Sequence, residues 1–192
     1  TTFGSEVNGL LSSVKNIFVY INLLEAGISL STVQALYKPI SEKDRLSIQS
    51  ILLSAEMAFK KVGTYILACT VIIALFYPIL VESNIEYWTV VGVILIQGSI
   101  FVLDYFIQAK DRVLLQAEAK SYVITNINTL ISFLTNAAKI VLIMMGSNII
   151  QIQISFAILS LFKIAVLKIY MHNKYSKIEK GVKPDLTYVP NQ

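Results

Sequence analysis

Apolar residues in this chain come in blocks too long for the strands or amphipathic helices of a water-facing domain. Five blocks stand out, at 10–36, 62–81, 87–109, 122–145 and 149–171. Each, coiled as a helix rising about 1.5 Å per residue, is long enough to cross about 30 Å of hydrocarbon. Lipid offers the backbone no hydrogen-bond partner, and a helix satisfies its own. The pattern therefore predicts an all-α, polytopic transmembrane helix bundle over 1–171, followed by a cytoplasmic linker or tail at 172–192. In that tail Gly181, Pro184 and Pro190 interrupt any helix.

The segments between the blocks alternate in charge. Lys and Arg number 0 in residues 1–9, 5 in 37–61, 0 in 82–86, 3 in 110–121, 0 in 146–148 and 4 after residue 171. Basic residues gather on the cytoplasmic side of membrane proteins, so 37–61, 110–121 and 172–192 are expected in the cytoplasm. Glu82 and Glu86, beside Tyr87 and Trp88, suit an outer loop with interfacial aromatics. The stretch FIQAKDRVLLQAEAKSY, 106–122, is then the wet cytoplasmic turn between two spans. Five spans leave the N-terminus outside, and the chain starts at Thr1 with no signal peptide. One further span upstream is expected, which makes the sequence a fragment of a longer protein.

The longest inner segment has a helix signal of its own. Pro39 precedes Ser41, an expected N-cap, with Asp44 three residues on. Ile48, Leu52, Ala55 and Phe59 follow at helical spacing. This helix either lies at the membrane surface or extends the second span inward. Pro78 is expected to kink or end that span, whose near lack of polar residues suits a lipid-exposed helix.

Composition narrows the function classes. The chain is 55% hydrophobic and 15% charged, against about 25% charged for soluble domains. The net charge of +4 is accounted for by the inner segments, without a nucleic-acid partner. Cys69 is the single cysteine, which excludes a disulfide framework and a thiolate metal site. The one histidine, His172, falls at the inner end of the last span. No nucleophile-and-base arrangement, paired carboxylates, metal motif or phosphate loop is present. A non-enzymatic protein without a cofactor is expected.

Chemistry enters through polar residues at membrane depth. Asn22, Glu25, Ser29 and Thr32 share one face of the first span, with Lys15 seven residues before. In the fourth span Thr125, Thr129, Ser132, Asn136 and Lys139 form a second stripe. The third aligns Gln97, Asp104 and Gln108, and the fifth Gln153, Ser160 and Lys163. Hydrogen bonding between helices would account for the Ser, Thr and Asn members. Ionised groups cost a few kcal/mol or more at depth, so Lys139, Lys163, Glu25 and Asp104 are expected to line a water-filled cavity. Lys15 is near enough to the outer end to snorkel, and Asp104 near enough to the inner face to pair with a loop cation. A cavity lined by lysines suits an anionic, polar substrate.

Two stretches carry a family resemblance. Residues 24–44, LEAGISLSTVQALYKPISEKD, with the Glu25-Ala26-Gly27 turn and the Leu36-Tyr37-Lys38-Pro39 exit, resemble the second helix and first inner loop of bacterial polysaccharide and O-antigen (Wzx-like) flippases. These belong to the multidrug/oligosaccharidyl-lipid/polysaccharide (MOP) superfamily. Residues 112–122, RVLLQAEAKSY, are similar to that family's loop between helices four and five. There the family shows a basic pair before Leu-Leu-Gln, whereas here the first of the pair is Asp111, which argues against phosphate binding by the pair.

The resemblance implies a MATE/MOP-like lobe of six helices, of which this chain supplies helices two to six, with a second lobe in the full-length protein. It implies a flippase of the bacterial inner membrane that moves an undecaprenyl-diphosphate-linked glycan by alternating access. The partners implied are that lipid-linked glycan, membrane lipid and polysaccharide assembly proteins. In such a cavity Lys139 and Lys163 would attract diphosphate or acidic sugars, and Asn136, Ser132, Asn22 and Gln97 would bind sugar hydroxyls. Glu25 and Asp104 are the carboxylates available for ion coupling. The alternatives are a multidrug exporter of the same superfamily, in which carboxylates should outweigh lysines, a membrane enzyme of glycan processing, and a non-catalytic scaffold with dry polar stripes.

Overall fold

The computed structural model describes residues 5–80 and 85–175, apart from the side chains at 5–8, 10, 11 and 21–25. Six helices account for nearly all of it: α1 (Ser5–Glu42), α2 (Arg45–Leu80), α3 (Tyr87–Ile107), α4 (Ala109–Ala117), α5 (Ser121–Met144) and α6 (Ile149–Tyr175). Among the described residues, α2, α3, α5 and α6 are long and apolar enough to cross a membrane. The chain is an all-α, multi-pass membrane bundle. The span expected at 10–36 falls on α1, part of whose side chains lie outside the described residues, as do Glu82 and the tail from 176.

Several local expectations change. The choice left open for the inner segment resolves to continuity, since α2 runs unbroken from Arg45 through the second apolar block. Ser41 is not the cap of that helix. It lies inside α1, where its hydroxyl donates to the Lys38 carbonyl at 2.7 Å. The cap is Asp44, whose carboxylate accepts from the Leu46 and Ser47 amides at 3.1 and 3.2 Å and from the Ser47 hydroxyl at 2.6 Å. Those bonds, the Ser47 hydroxyl first, hold the Asp44 carboxyl below its ordinary range. Pro39 is carried within α1, and Pro78 sits two residues before α2 ends.

The 110–121 segment is no open turn. The chain passes from α3 into the nine-residue α4 through Gln108 alone. Ala109, Asp111, Val113, Leu114, Leu115 and Ala117 are all buried, so α4 is an amphipathic plug rather than a solvated loop.

Three helix ends close in the same way. After α1, the Asp44 amide reaches back to the Pro39 carbonyl (2.9 Å) and Lys43 to Ile40 (3.2 Å). After α4, Lys120 bonds to Leu115 (2.7 Å) and Ala119 to Gln116 (3.0 Å). After α5, Ser147 bonds to Leu142 and Gly146 to Ile143, both at 3.0 Å. Each is a Schellman turn, which places its C′ residue in the left-handed region. Gly146 takes φ +75° freely, whereas Lys43 and Ala119 hold φ 57° with a side chain attached.

Packing runs as a series. α1 packs on α2, α2 most closely on α3, α3 on α6, and α6 on α5. The α2–α3 seam is close because Gly98 faces Thr70; a Cβ on Gly98 would lie 2.1 Å from the Thr70 Cγ2. Among the described residues α1 and α5, at the two ends of the series, share no extensive interface, while α4 touches both. α2 was expected to be the lipid-exposed helix, but α5 is the least enclosed: 11% of its most apolar stretch is buried, against 22% in α2 and 39% in α3.

Candidate functional site

The helix ends gathered around α4 form a charged layer. Asp104, one turn before the end of α3, accepts Arg112 of α4 at 2.8 Å and Lys163 of α6 at 3.4 Å. Gln108, almost fully buried, directs its amide nitrogen to the Lys163 carbonyl at 3.5 Å. Asp111 pairs with Lys168 of α6 at 2.7 Å. Glu56 of α2 holds Lys60 at 2.8 Å and also Lys110 of α4. Glu118 takes both Lys120 and the Tyr175 hydroxyl, and Lys120 also donates to the Tyr175 oxygen at 3.3 Å. The Glu118 contact, with help from Tyr175, lifts the Lys120 ammonium well above the ordinary lysine range.

A small pocket opens in this layer, lined by Gln108, Arg112 and Lys163 with Asn128 of α5, and floored by Ile124, Ile127 and Leu167. It measures about 260 Å³ with its open mouth included. Its enclosed part is only about 20 Å³, room for a water molecule or two and far below the roughly 300–1,000 Å³ of usual ligand pockets, so a larger group could sit only across its mouth.

A different arrangement lies away from α4. Ser132 and Asn136 are exposed on α5, in line with Thr125 and Thr129. Their stripe borders the side that packs on α6 through Ile131 and Thr135. Lys139, in the last two turns of α5, has its ammonium 5.3 Å from the centre of the Phe156 ring. α4 packs against both α1 and α5, and Lys139 lies toward the end of α5 away from it.

The residues singled out from sequence fall into three groups. Lys163 and Asp104 are joined in one cluster. Gln97 lies apart from it, with its amide donating to Gln153 of α6 at 3.4 Å as a bridge between helices. Lys139, Asn136 and Ser132 share the open face of α5, separate from both. The side chains of Asn22 and Glu25 lie outside the described residues; Thr32, further along their stripe, is buried and bonded to its own helix at the Ile28 carbonyl (2.7 Å). Sequence reasoning passed over Lys168, Glu56 and Phe156. One signal for the first was available: Asp111 lies two residues before the apolar Val113-Leu114-Leu115 run, and a carboxylate on a buried helix face needs a cation.

No family model matches this sequence, and no curated protein or solved structure matches it either.

Proposed function

We propose that the chain is part of a membrane transporter, a flippase lobe that helps carry a lipid-linked oligosaccharide or polysaccharide precursor across the bacterial inner membrane by alternating access. The observation that carries this reading is the exposed polar stripe of α5, in which Thr125, Thr129, Ser132 and Asn136 run toward Lys139. That row of hydroxyls and an amide, ending at a lysine set against the Phe156 ring, makes a surface for a hydroxyl-rich, anionic head that hydrocarbon would reject. A lysine at the end of this stripe favours an anion, which also speaks against a cationic drug as cargo. The resemblance of residues 24–44 and 112–122 to polysaccharide flippases is the second support. A second lobe in the full-length protein would close the remaining side, and polysaccharide assembly proteins are its natural neighbours.

The two lysines of the original candidate set separate under this reading. Lys163 shares its charge with Asp104, whereas Lys139 lies against the Phe156 ring. In the full-length protein, Lys139→Ala should reduce surface glycan more than Lys163→Ala does. Cysteines placed at Ser132 and Asn136, in a Cys69→Ala background, should react with an aqueous thiol reagent. Wild-type export by the Lys139→Ala protein, or a dry α5 stripe, overturns the proposal.

A further inference from the structure

The pocket beside α4 meets the α5 stripe only at Asn128, and its chemistry points to a ligand of its own. Arg112 and Lys163 share one carboxylate, Asp104, so the trio carries one net positive charge. Both cations line the pocket while keeping part of their side chains exposed, 34% for Arg112 and 26% for Lys163. Gln108 and Asn128 add amides at the same wall. The long 3.5 Å contact from Gln108 to the Lys163 carbonyl leaves its donor only loosely engaged. Immediately below, Ile124, Ile127 and Leu167 provide an apolar floor on helices whose other faces expose Leu130, Phe133 and Ile169.

We propose that this pocket binds a phosphate group carried on an apolar chain, as in an anionic phospholipid of the leaflet on the α4 side. Guanidinium, ammonium and amide donors on one wall match the oxygens of a phosphodiester, and the isoleucine and leucine floor matches the first methylenes beneath it. The enclosed part, about 20 Å³, is too small to take up a glycan, so the phosphate would lie across the open mouth, against the exposed parts of Arg112 and Lys163. Basic pockets between transmembrane helices on the side that the lysine and arginine alternation assigns to the cytoplasm are the usual seats of anionic headgroups. Asp104 then acts as an internal competitor that holds both cations in place when no phosphate is bound.

The test uses the full-length protein in zwitterionic nanodiscs, with phosphatidylglycerol titrated in and bound lipid counted by native mass spectrometry. Wild type should retain phosphatidylglycerol over phosphatidylcholine. Arg112→Gln and Lys163→Gln should each weaken that preference by about fivefold, with Lys38→Gln as an exposed control that leaves it unchanged. Asp104→Asn removes the competitor and should strengthen retention, a gain that a misfolded variant would not produce. Inorganic phosphate at millimolar concentration should not displace the lipid; displacement together with phosphate binding would reassign the site to a free anion and overturn the lipid reading. Equal retention of both lipids, or indifference to Arg112, Lys163 and Asp104, overturns it too. Because the readout is binding of a plain phospholipid, it stands or falls independently of glycan export.

Discussion

At the α4 end of the bundle, Glu56, Asp104, Asp111 and Glu118 each hold at least one cation. Lys139, near the far end of α5, has a ring for company. Both regions place charge inside a membrane protein; among the described residues, one pairs most of its charge with carboxylates and the other shows no carboxylate beside its lysine. Charge that is paired and packed holds helices in register, because removing either partner leaves the other stranded. Charge left without a neutralising partner at a helix face is expensive in lipid and is better explained by water or a ligand. The first region reads mainly as a clasp, with one surplus positive charge beside Asp104, and the second fits the binding surface proposed above.

The strongest way to break that contrast is through Asp111. Its side chain is 9% exposed and Lys168 40%, so Asp111→Ala should cost about 1.5–3 kcal/mol, the range for a hydrogen bond to a charged group. Loss of the midpoint in thermal or denaturant unfolding would measure it. An unchanged midpoint would remove α4 from the role of clasp.

Next in size is the α2–α3 seam. Gly98→Ala drives a methyl against Thr70 and should destabilise by about 1–3 kcal/mol. Gly27→Ala, on α1 with nothing within 4 Å of the added carbon, should instead stabilise by about 0.4–1 kcal/mol. Opposite signs from one substitution, read in the same unfolding assay, would separate a packed seam from an open face.

A smaller gain is expected at the turn after α4. Ala119 holds φ 57°, which strains any residue with a Cβ. Ala119→Gly should raise stability by about 0.5–1 kcal/mol, and a loss there would mean that the turn is set by something other than the Schellman geometry. Last, Lys139→Gln should change stability by less than about 0.5 kcal/mol while lowering glycan export. A large loss of stability with export intact would turn the binding surface into a second clasp.

Part of this was legible in the residues themselves. Apolar runs of about 20 residues specify membrane helices because the hydrocarbon thickness and the helix rise leave little freedom. The polar stripe of α5 was equally readable, since Thr125, Thr129, Ser132 and Asn136 fall on one face by spacing alone. The partners of charged residues were not readable. Asp104 and Lys163 are 59 residues apart, and Asp111 and Lys168 are 57 apart. No local rule connects positions so distant. The N-cap was misread for a related reason: Ser41 and Asp44 both suit the role, and only the Schellman turn at Lys43 shows that α1 has not yet ended at Ser41.

What the sequence determined by itself is the class of the molecule, an all-helical membrane bundle, because periodicity and block length answer to the solvent rather than to neighbours. What tertiary structure alone decided is the fate of each charge. The segment 106–122 looks like a solvated turn in one dimension because five of its residues are charged. In three dimensions Lys110, Arg112 and Asp111 meet partners on α2, α3 and α6, Glu118 and Lys120 pair with each other, and the apolar residues between them are buried in α4. Whether a lysine clasps a bundle or faces a ligand depends on what lies within about 4 Å of it, and folding sets that distance.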